Sequence, residues 1–358
     1  MGKNAKSILI LGGCGFVGAE LAKMFSEDGA RVSVIDNLSR EGSFVNVSTL
    51  REKGVAVFHG DIREPDDLKV AGEPDWIVDA AANPSVLAGT ADFTSRPLMM
   101  QNLGGSINAI EFAKDHGAGF ILLSTSRVYN IDLLSNLEFS KKGMRFEPSL
   151  RGKTLGISKI GISEKFSTAP PISLYGSSKL ASEIVVLEYS CAFDIPVFVN
   201  RCGVIAGAGQ FGKPDQGIFS FWLNAHLRRR SLSYIGFDGS GSQVRDCLHP
   251  RDLYRLLQSQ IKKPEVSPGD RVVNVSGGIE NSMSLAELNG WCDSRWTKRT
   301  ATEAGADRKY DLPWVVLDNS KCRQVWGWAP EIGIEDILTE IADHAEKNPE
   351  WMSISGVT

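Results

Sequence analysis

The feature that most restricts the fold of this chain is a glycine-rich turn near its start. An apolar stretch, Ser7–Leu11, runs into the turn Gly12–Gly18, and a helical pattern follows over residues 19–26. Strand, glycine turn and helix in this order are typical of a dinucleotide-binding βα unit, in which a pyrophosphate approaches the helix N-terminus. The alternative is a βα turn whose glycines serve packing alone.

An acidic residue follows the second predicted strand. The stretch Arg31–Ile35 ends at Asp36, 18 residues after Gly18. A carboxylate at this place binds the adenosine ribose hydroxyls, and it would repel a 2′-phosphate. The sequence therefore favours NAD over NADP as the cofactor.

The strand and helix pattern repeats along the chain. Further strands are predicted at Val55–His59, Trp76–Ala80, Phe120–Leu123, Val197–Arg201 and Val272–Val275, and helices at Leu98–Asp115, Leu180–Phe193 and Ile218–Arg230. Alternating strands and helices predict an α/β fold with a doubly wound parallel sheet of the Rossmann type. Ligands of such sheets lie beyond the carboxyl ends of the strands, where Asp61, Ala80–Ala82 and Ser124–Ser126 fall. Asp61 could instead cap a turn.

Composition narrows the function classes. The 358 residues are 42% apolar and 23% charged, as in ordinary soluble proteins, and the net charge of −4 argues against a general nucleic-acid binder. No apolar run approaches the ~20 residues that span a bilayer, and no signal-peptide pattern precedes the first strand. The six cysteines form no C-x-x-C pair and the histidines show no ligand spacing. We expect a cytoplasmic protein with reduced cysteines and without a metal, a membrane or a nucleic-acid partner.

The candidate catalytic pair is Tyr175 and Lys179. They are four residues apart and precede the helical run Leu180–Phe193, so one helix would place both on one face. A free phenol titrates near pH 10, and a nearby ammonium favours the phenolate. The pair could therefore move a proton on or off a sugar or alcohol hydroxyl. The alternative is a packed tyrosine beside a solvated lysine.

Two segments rich in glycine or proline divide the chain. Residues 130–174 are long enough to predict a lid or binding loop, and Gly203–Gly217 is glycine-rich with few charges. We predict an NAD-binding domain over residues 1–203, with a return around 244–275, and a mainly substrate-binding domain over residues 204–358.

These motifs together resemble the extended short-chain dehydrogenase/reductases, in particular the NAD-dependent nucleotide-sugar epimerases and dehydratases. The resemblance runs from about Ser7 to Glu346. Its residues, in family order, are the glycine turn, Asp36-Asn37, Thr125 before Val128-Tyr129, Tyr175 with Lys179, Arg245-Asp246 with His249, and Gly327-Trp328. The family usually has threonine before its first glycine, whereas this chain has Leu11.

Within the family, several stretches are most similar to the CDP-tyvelose (CDP-paratose) 2-epimerases. They are Ser124–Tyr129, Ser167–Pro171, Asn200–Val204 with Gly209–Gly212, Asp215–Ile218 and Asn281–Leu285. This similarity implies epimerisation at C2 of a CDP-linked deoxyhexose, with oxidation to a keto-sugar and reduction on the opposite face by tightly bound NAD. The alternatives are a C4 epimerase or oxidoreductase of another nucleotide sugar, or a sensor that binds NAD(H) without turnover.

The resemblance assigns roles to single residues. Tyr175 is the general acid/base, Lys179 lowers its pKa, and Thr125 orients the sugar oxygen. Sugar dehydratases carry Thr-Asp-Glu where this chain has Thr125-Ser126-Arg127, so both acids for water elimination are missing. Thr125 could instead bond only to backbone, and His249 is expected to be structural.

The remaining candidate residues are binding residues. For the cofactor they are Gly12, Gly15, Phe16, Val17, Gly18, Asp36, Asn37, Asp61, Ile62, Ala80, Ala81, Ala82, Asn102, Tyr175, Lys179 and Arg201. For the substrate they are Ser126, Arg127, Gly203, Val204, Gln210, Gln216, Arg245 and Arg308. Arg245 and Arg308 would clamp the diphosphate, or instead form salt bridges with Asp246 and Asp311. A homodimer or higher homo-oligomer through the helices near Leu98–Asp115 and Leu180–Phe193 is expected from the family.

Overall fold

The computed structural model describes residues 5–85, 87, 94–149, 154–304 and 310–357. The strands in these ranges are, in chain order, β1 (Ser7–Leu11), β2 (Arg31–Asp36), β3 (Ala56–His59), β4 (Trp76–Asp79), β5 (Gly119–Thr125), β6 (Phe139–Lys142), β7 (Arg145–Pro148), β8 (Ile157–Ser158), β9 (Gly161–Ile162), β10 (Val197–Cys202), β11 (Val204–Ile205), β12 (Ser233–Ile235), β13 (Val244–Leu248), β14 (Val272–Val275), β15 (Ser282–Ser284), β16 (Thr302–Ala304) and β17 (Trp314–Val315).

The α-helices connect these strands and follow the last of them. They are α1 (Phe16–Glu27), α2 (Val45–Glu52), α3 (Pro65–Leu68), α4 (Arg96–Met99), α5 (Gly105–His116), α6 (Ile131–Ser135), α7 (Ser173–Phe193), α8 (Ile218–Leu227), α9 (Pro250–Lys262), α10 (Leu285–Arg295), α11 (Ser320–Trp326), α12 (Ile334–Lys347) and α13 (Trp351–Ile354).

The chain forms two compact units. The first comprises Met1–Thr125, Leu174–Arg201 and Leu253–Val273, and the second comprises Ser126–Ser173, Cys202–Asp252 and Asn274–Thr358. The sequence predicts a single boundary at residue 203, with the chain returning to the first domain around 244–275. In the structure, residues 126–173, which this prediction assigns to the NAD-binding domain, belong to the second unit.

A seven-stranded sheet, counted over the described residues, has the order β14-β10-β5-β4-β1-β2-β3. The pairs β3–β2, β2–β1, β1–β4 and β4–β5 are parallel. The strand order reverses where β4 lies beside β1, and this switch point is where doubly wound sheets bind ligands. The predicted Rossmann-type α/β fold is confirmed.

The first unit is built around apolar strands that are covered on both faces. Leu9 and Leu11 of β1, Ile77 of β4 and Phe120 of β5 are each 0% exposed and share one hydrophobic core with the helix residue Ile110. Continuous apolar strands of this kind are expected for a parallel sheet with helices on each face. Their burial fixes the strand ends, and therefore the residues that follow them.

The second unit contains a smaller mixed sheet. Strand β13 pairs in parallel with β11 and β17 and antiparallel with β15. Helices α8, α10 and α12 pack a separate core that includes Trp222, Leu288 and Ile341. The predicted helix over 218–230 ends at Leu227, where Arg228 turns its guanidinium to the carbonyl oxygens of Pro349 and Asn348.

Two predicted segments differ in detail from the structure. The predicted helix over 98–115 contains a π-helical turn, Met100–Gly104, between α4 and α5. The predicted loop between Tyr129 and Tyr175 contains helix α6 and the hairpins β6–β7 and β8–β9. Across the part of the chain that is described, no helix is both long and apolar enough to cross a bilayer.

Candidate active site

The glycine turn is packed so tightly that no side chain would fit at Gly12 or Gly18. Gly12 has φ of +71°, and a Cβ there would lie 2.8 Å from the Cα of Ala81. A Cβ on Gly18 would lie 2.3 Å from the carbonyl oxygen of Gly12. Gly15 is the N-cap of α1, and no side chain there accepts a hydrogen bond from the first backbone N–H groups of this twelve-residue helix. These N–H groups follow the glycine turn directly. This arrangement suits an anion at the helix N-terminus.

Asp36 lies beside this turn at the end of β2. One carboxylate oxygen accepts a hydrogen bond from the N–H of Cys14 at 2.9 Å, and the other accepts one from the N–H of Leu38 at 2.8 Å. These bonds hold the carboxylate between the glycine turn and the loop after β2. A carboxylate has about four lone-pair sites, so acceptor capacity remains for ribose hydroxyls.

Asp61 is engaged with its own loop. The guanidinium of Arg63 donates two hydrogen bonds to its carboxylate, at 2.9 and 2.6 Å, and Asn37 donates a third at 3.0 Å. The Arg63 hydrogen bond in particular holds the pKa of Asp61 well below its usual range. The N–H of Arg63 also bonds Asp61 at 3.0 Å, so the turn-capping alternative is present and an adenine contact stays a prediction. The side chain of Ile62 belongs to the hydrophobic core, and its contact with the cofactor stays a prediction.

Asn102 connects two parts of the first unit. Its side chain accepts from the N–H of Asn83 at 2.8 Å, and it donates to the carbonyl of Asn83 and to the hydroxyl of Ser178 at 3.0 Å. Ser178 in turn donates to the carbonyl of Tyr175 at 2.8 Å. The π-helical turn therefore fixes the loop after β4 against the first turns of α7, and π-turns often occur at functional positions.

Tyr175 and Lys179 lie in the first two turns of α7, which begins at Ser173. Tyr175 is 8% exposed and Lys179 is 2% exposed. The alternative of a solvated lysine is therefore wrong. A buried ammonium needs an electrostatic reason to be there, because burial without compensation is costly.

Glu183 lies one helical turn beyond Lys179. Its carboxylate accepts hydrogen bonds from residues near the ends of two strands, β5 and β10. It forms a buried ion pair with Arg201 of β10 at 2.7 Å, with a second bond from the guanidinium Nε at 3.1 Å. It also accepts a hydrogen bond from Ser124 of β5. Thr125, the last residue of β5, follows Ser124, so this cluster holds the Thr125 backbone near the helix that carries Tyr175. The cofactor role predicted for Arg201 stays a prediction, since much of its guanidinium serves Glu183.

Arg127 and Arg245, two of the predicted substrate arginines, belong to the second unit. Arg127 donates to the carbonyl of Tyr310 at 3.1 Å, and Ser126 opens the 3₁₀ turn that contains Arg127. Arg245 donates to the carboxylate of Asp311 at 2.7 Å, so the salt-bridge alternative is present and the diphosphate role stays a prediction. Arg308 lies outside the described residues.

The glycine-rich segment of the second unit is held by the C-terminal part of the chain. The indole N–H of Trp351 donates to the carbonyl of Gln210 at 2.9 Å, and its ring stacks on Phe211 with centroids 5.2 Å apart. The Gln210 side chain donates to the carbonyl of Ile205 at 2.7 Å, while its Oε1 is buried and has no hydrogen-bond partner among the described residues. Gln216 closes the segment through backbone bonds with Lys213.

Gly203 directly precedes β11 of the same unit, and Val204 is the first residue of that strand. The N–H of Gly203 bonds the carbonyl of Val275, and a Cβ on Gly203 would lie 2.3 Å from a carboxylate oxygen of Asp246. The buried His249 bonds Glu340 at 3.1 Å and the N–H of Arg251 at 3.1 Å. These contacts are structural hydrogen bonds.

Three residues around the candidate site were not predicted from the sequence. They are Asp79, Ser106 and Glu183, and each is almost completely buried. Two had a signal in the sequence, since Glu183 follows Lys179 by one helical turn and Asp79 ends the apolar strand β4. Ser106 has none, because its role depends on contact with Asp79 at 2.7 Å.

The fold and the glycine turn define a dinucleotide-binding enzyme of the Rossmann type. Residues 8–276 match the NAD dependent epimerase/dehydratase family, and the chain belongs to that family. NAD is therefore the cofactor, and nucleotide sugars are the substrate class of its homologues.

Relatives with different chemistry align over almost the whole chain. The CDP-paratose 2-epimerase of Salmonella typhi is 28% identical over 94% of this chain and 98% of its own length. The UDP-glucuronate 4-epimerase of Thermodesulfobacterium geofontis is 24% identical over 96% of this chain and 97% of its own. The structure of a dTDP-glucose 4,6-dehydratase of Bacillus anthracis in complex with NAD superposes with a TM-score of 0.74 at 22% identity, covering 98% of this chain and 100% of that one.

Proposed function

We propose that the chain is a nucleotide-sugar epimerase that acts at C2 of a CDP-linked deoxyhexose. The observation that carries this proposal is the buried pair Tyr175 and Lys179 on α7, fixed by hydrogen bonds next to the end of β5. The choice of C2 and of CDP is supported by the 28% identity with a CDP-paratose 2-epimerase.

The cofactor would be held by residues of the first unit. The Gly12–Gly18 turn and the N-terminus of α1 would hold the pyrophosphate, and a Cβ on Gly12 or Gly18 would collide with backbone atoms of this turn or of its neighbour Ala81. Asp36, whose carboxylate accepts hydrogen bonds from the N–H groups of Cys14 and Leu38, would accept further ones from ribose hydroxyls. When bound, NAD supplies a group that can take a hydride from a sugar carbon and return it.

The residues of α7 would handle the proton. Tyr175 takes the proton of the sugar hydroxyl as oxidation begins and returns it when the keto-sugar is reduced on its other face, which is general acid–base catalysis. Lys179 favours the phenolate form of Tyr175 through its positive charge. Thr125 would bind the sugar oxygen and orient the hydroxyl toward Tyr175.

Dehydration is disfavoured by the residues beside Thr125. Water elimination needs an acid and a base next to the sugar, and the positions after Thr125 are Ser126 and Arg127. Epimerisation at C4 is the second candidate, because a UDP-glucuronate 4-epimerase is 24% identical over almost the same length. The same roles of Tyr175, Lys179 and Thr125 would serve that reaction.

The second unit would recognise the nucleotide and its diphosphate. Arg245 can offer bidentate hydrogen bonds to phosphate oxygens, as it now does in part to Asp311. Gln210 and Gln216 belong to the glycine-rich segment that Trp351 fixes, and the buried Oε1 of Gln210 is an acceptor that a ligand donor could use after a side-chain rotation. Arg308 and Arg127 are the remaining cations proposed for the substrate.

We also propose a homo-oligomer through the helical face of the first unit. Ile184 of α7 is 57% exposed and Met100 of the π-helical turn is 46% exposed. Exposed apolar side chains of this size on neighbouring helices suit an interface with a second copy. The proposed location of the enzyme is the cytoplasm.

The path of hydrogen tests the reaction. In the proposed cycle the hydrogen at C2 leaves as hydride and returns to the same carbon, so it never exchanges with water. A CDP-hexose deuterated at C2 should give a C2 epimer that keeps its deuterium, and unlabelled substrate turned over in D₂O should gain none there. NMR and mass spectrometry of the product measure both, with CDP-, UDP-, GDP- and dTDP-sugars compared without added cofactor.

Other outcomes assign other reactions. Loss of deuterium from C2 would mean deprotonation at that carbon and would contradict the proposal. Inversion at C4 with an unchanged C2 would identify a C4 epimerase. Solvent deuterium at C6 would indicate a dehydratase.

A further inference from the structure

Two fully buried serines on α7, Ser178 and Ser182, face the π-helical turn of the first unit. Both lie beside Asn102 of that turn, which is fully buried as well. The side-chain amide of Asn102 donates to the hydroxyl of Ser178 at 3.0 Å, and the hydroxyl of Ser182 lies 3.4 Å from the carbonyl oxygen of Asn102. Because buried polar groups need partners, these bonds restrict how α7 can lie against the turn.

The hydroxyl of Ser178 takes part in two hydrogen bonds. It accepts from Asn102 and donates to the carbonyl of Tyr175 at 2.8 Å. The rest of the Asn102 amide binds the loop after β4, since it donates to the carbonyl of Asn83 at 3.2 Å and accepts from the N–H of Asn83 at 2.8 Å. Consecutive hydrogen bonds therefore run from the loop after β4 to the helical turn that carries Tyr175.

Helix formation gives no reason for a serine at position 178. Alanine has the higher helix propensity, and a serine that bonds a carbonyl of its own helix slightly destabilises that helix. The gain from the Ser178 hydroxyl is the bond from Asn102, because alanine would leave one N–H of this buried amide without its present partner. The side chain of Ser178 therefore serves the contact between α7 and the π-helical turn.

Ser182 is equally buried but differs in its contacts. Its hydroxyl donates to the carbonyl of Ser178 in the same helix at 3.0 Å, and its distance of 3.4 Å to Asn102 is long for a hydrogen bond. The carbonyl of Asn102 also accepts from the hydroxyl of Ser106 at 2.9 Å, so it stays bonded without Ser182. Ser182 thus binds mainly its own helix, whereas Ser178 binds across to another element.

We propose that Ser178 is a positioning residue for the reaction: its hydroxyl fixes the first turns of α7, and with them Tyr175, against the loop after β4. The proposal rests on the acid–base role assigned to Tyr175 above. Proton transfer depends steeply on placement, and a displacement of ~1 Å can cost about 10²-fold in rate. Loss of the Ser178 hydroxyl should therefore slow turnover more than it weakens substrate binding.

Ser178→Ala and Ser182→Ala form a matched pair, because each removes one buried hydroxyl from the same helix. Both should lower the melting temperature by a similar amount, about 2–4 °C. Only Ser178→Ala should lower kcat, by about 10-fold or more with KM within about twofold, while Ser182→Ala keeps both within about twofold. Steady-state kinetics and thermal denaturation measure these effects. Equal losses of kcat in the two variants would overturn the proposal, because turnover would then follow stability.

Ser178→Thr tests the hydroxyl itself. Threonine can still bond a carbonyl of the preceding turn, while its extra methyl group destabilises a filled interior. This variant should be less stable than the wild type and yet keep severalfold more turnover than Ser178→Ala. Turnover as low as that of Ser178→Ala would contradict the role of the hydroxyl. If Ser178→Ala does not fold, Ser178→Cys replaces it with the same expectation, since the thiol fills the space but is a weak donor.

Hydrogen exchange followed by mass spectrometry tests the same contact without a substrate. In Ser178→Ala, backbone amides of the loop after β4 and of the first turns of α7 should exchange about fivefold faster, the effect of one lost hydrogen bond. In Ser182→Ala the loop after β4 should exchange as in the wild type. Unchanged exchange of this loop in Ser178→Ala would refute the connection to α7.

The outcomes also separate this proposal from the proposed function. If the wild type turns over none of the CDP-, UDP-, GDP- and dTDP-sugars, the proposed function fails, and hydrogen exchange alone decides whether Ser178 holds α7 in place. If the wild type is active and Ser178→Ala keeps its turnover, the role of Ser178 is refuted and the proposed reaction stands. Inversion at C4 would change the reaction and leave this test as it is.

Discussion

The two compact units of this protein hold their charged side chains in different ways. In the first unit, Lys179 and Glu183 are 2% exposed, Arg201 is 8% exposed and Asp79 is 0% exposed. In the second unit, the Arg245 side chain retains 14% exposure, and its carboxylate partner Asp311 retains the same fraction. The charges near the candidate catalytic residues are therefore closed off from water, while a cation proposed for the substrate is still in contact with it.

This difference corresponds to two kinds of task. A proton transfer needs groups held in one geometry, and buried charged hydrogen bonds such as Glu183–Arg201 give little freedom. Binding a diphosphate requires a cation to change partners, and a partly exposed pair such as Arg245–Asp311 costs less to open than a fully buried one. We therefore expect changes in the first unit to affect turnover or folding, and changes in the second unit to affect mainly binding and pH response.

The largest effect is expected at Tyr175. Tyr175→Phe keeps the ring and removes the oxygen that carries the proton, so turnover should fall by about 10²–10⁴-fold, as for a lost general acid or base. NAD should remain bound, which its release on denaturation measures. Tyr129→Phe is the control in the second unit, since it removes a hydroxyl that bonds Asn274 at 2.6 Å. It should cost about 1 kcal/mol of stability and little turnover. Near wild-type turnover in Tyr175→Phe would contradict the acid–base role of Tyr175.

A smaller but still large effect is expected at the buried ion pair. Glu183→Gln removes the negative charge beside the buried guanidinium of Arg201, and such a change costs about 3–5 kcal/mol of unfolding free energy. Chemical denaturation followed by circular dichroism measures it. Lys69→Ala is the matched control, because it breaks a pair with Asp66 whose side chains are 72% and 88% exposed, and it should change stability very little. Equal effects of the two variants would show that burial does not set the strength of these pairs.

The part of this architecture that the sequence could predict is the part made by local patterns. Strands β1 and β14 begin and end where their apolar runs do, at Ser7–Leu11 and Val272–Val275, because fully covered parallel strands need continuous apolar residues. The glycine turn and the Tyr175–Lys179 spacing could be predicted for the same reason. Each is a short motif with its own backbone requirement.

Contacts between residues far apart in the chain could not be predicted. Asn102 bonds Asn83 and Ser178, which are 19 and 76 residues away, and no local pattern marks the π-helical turn that brings it there. Arg201 is a predicted cofactor residue, but its pairing with Glu183 depends on how β10 lies beside α7. Tertiary packing decides such contacts, and a single sequence does not show it.

The smallest effect is expected at a buried carboxyl of the second unit, Asp246. Like Asp79 it is almost completely buried, and it accepts a hydrogen bond from the N–H of Leu317 at 2.7 Å. Burial raises the pKa of Asp246 to about 6. Between the ordinary pKa of about 4 and about 6, the folded protein therefore binds more protons than the unfolded chain, and stability must fall as the pH rises through this window.

Asp246→Asn removes this dependence because the amide does not ionise. Relative to wild type, the variant should gain nothing at pH ~4 and about 1–3 kcal/mol at pH ~7, with the difference developing between those values. Denaturation at a series of pH values measures it, and the neutral acceptor of asparagine can still take the Leu317 hydrogen bond. Parallel stability curves for the two proteins would mean that Asp246 is ionised in the fold at no cost.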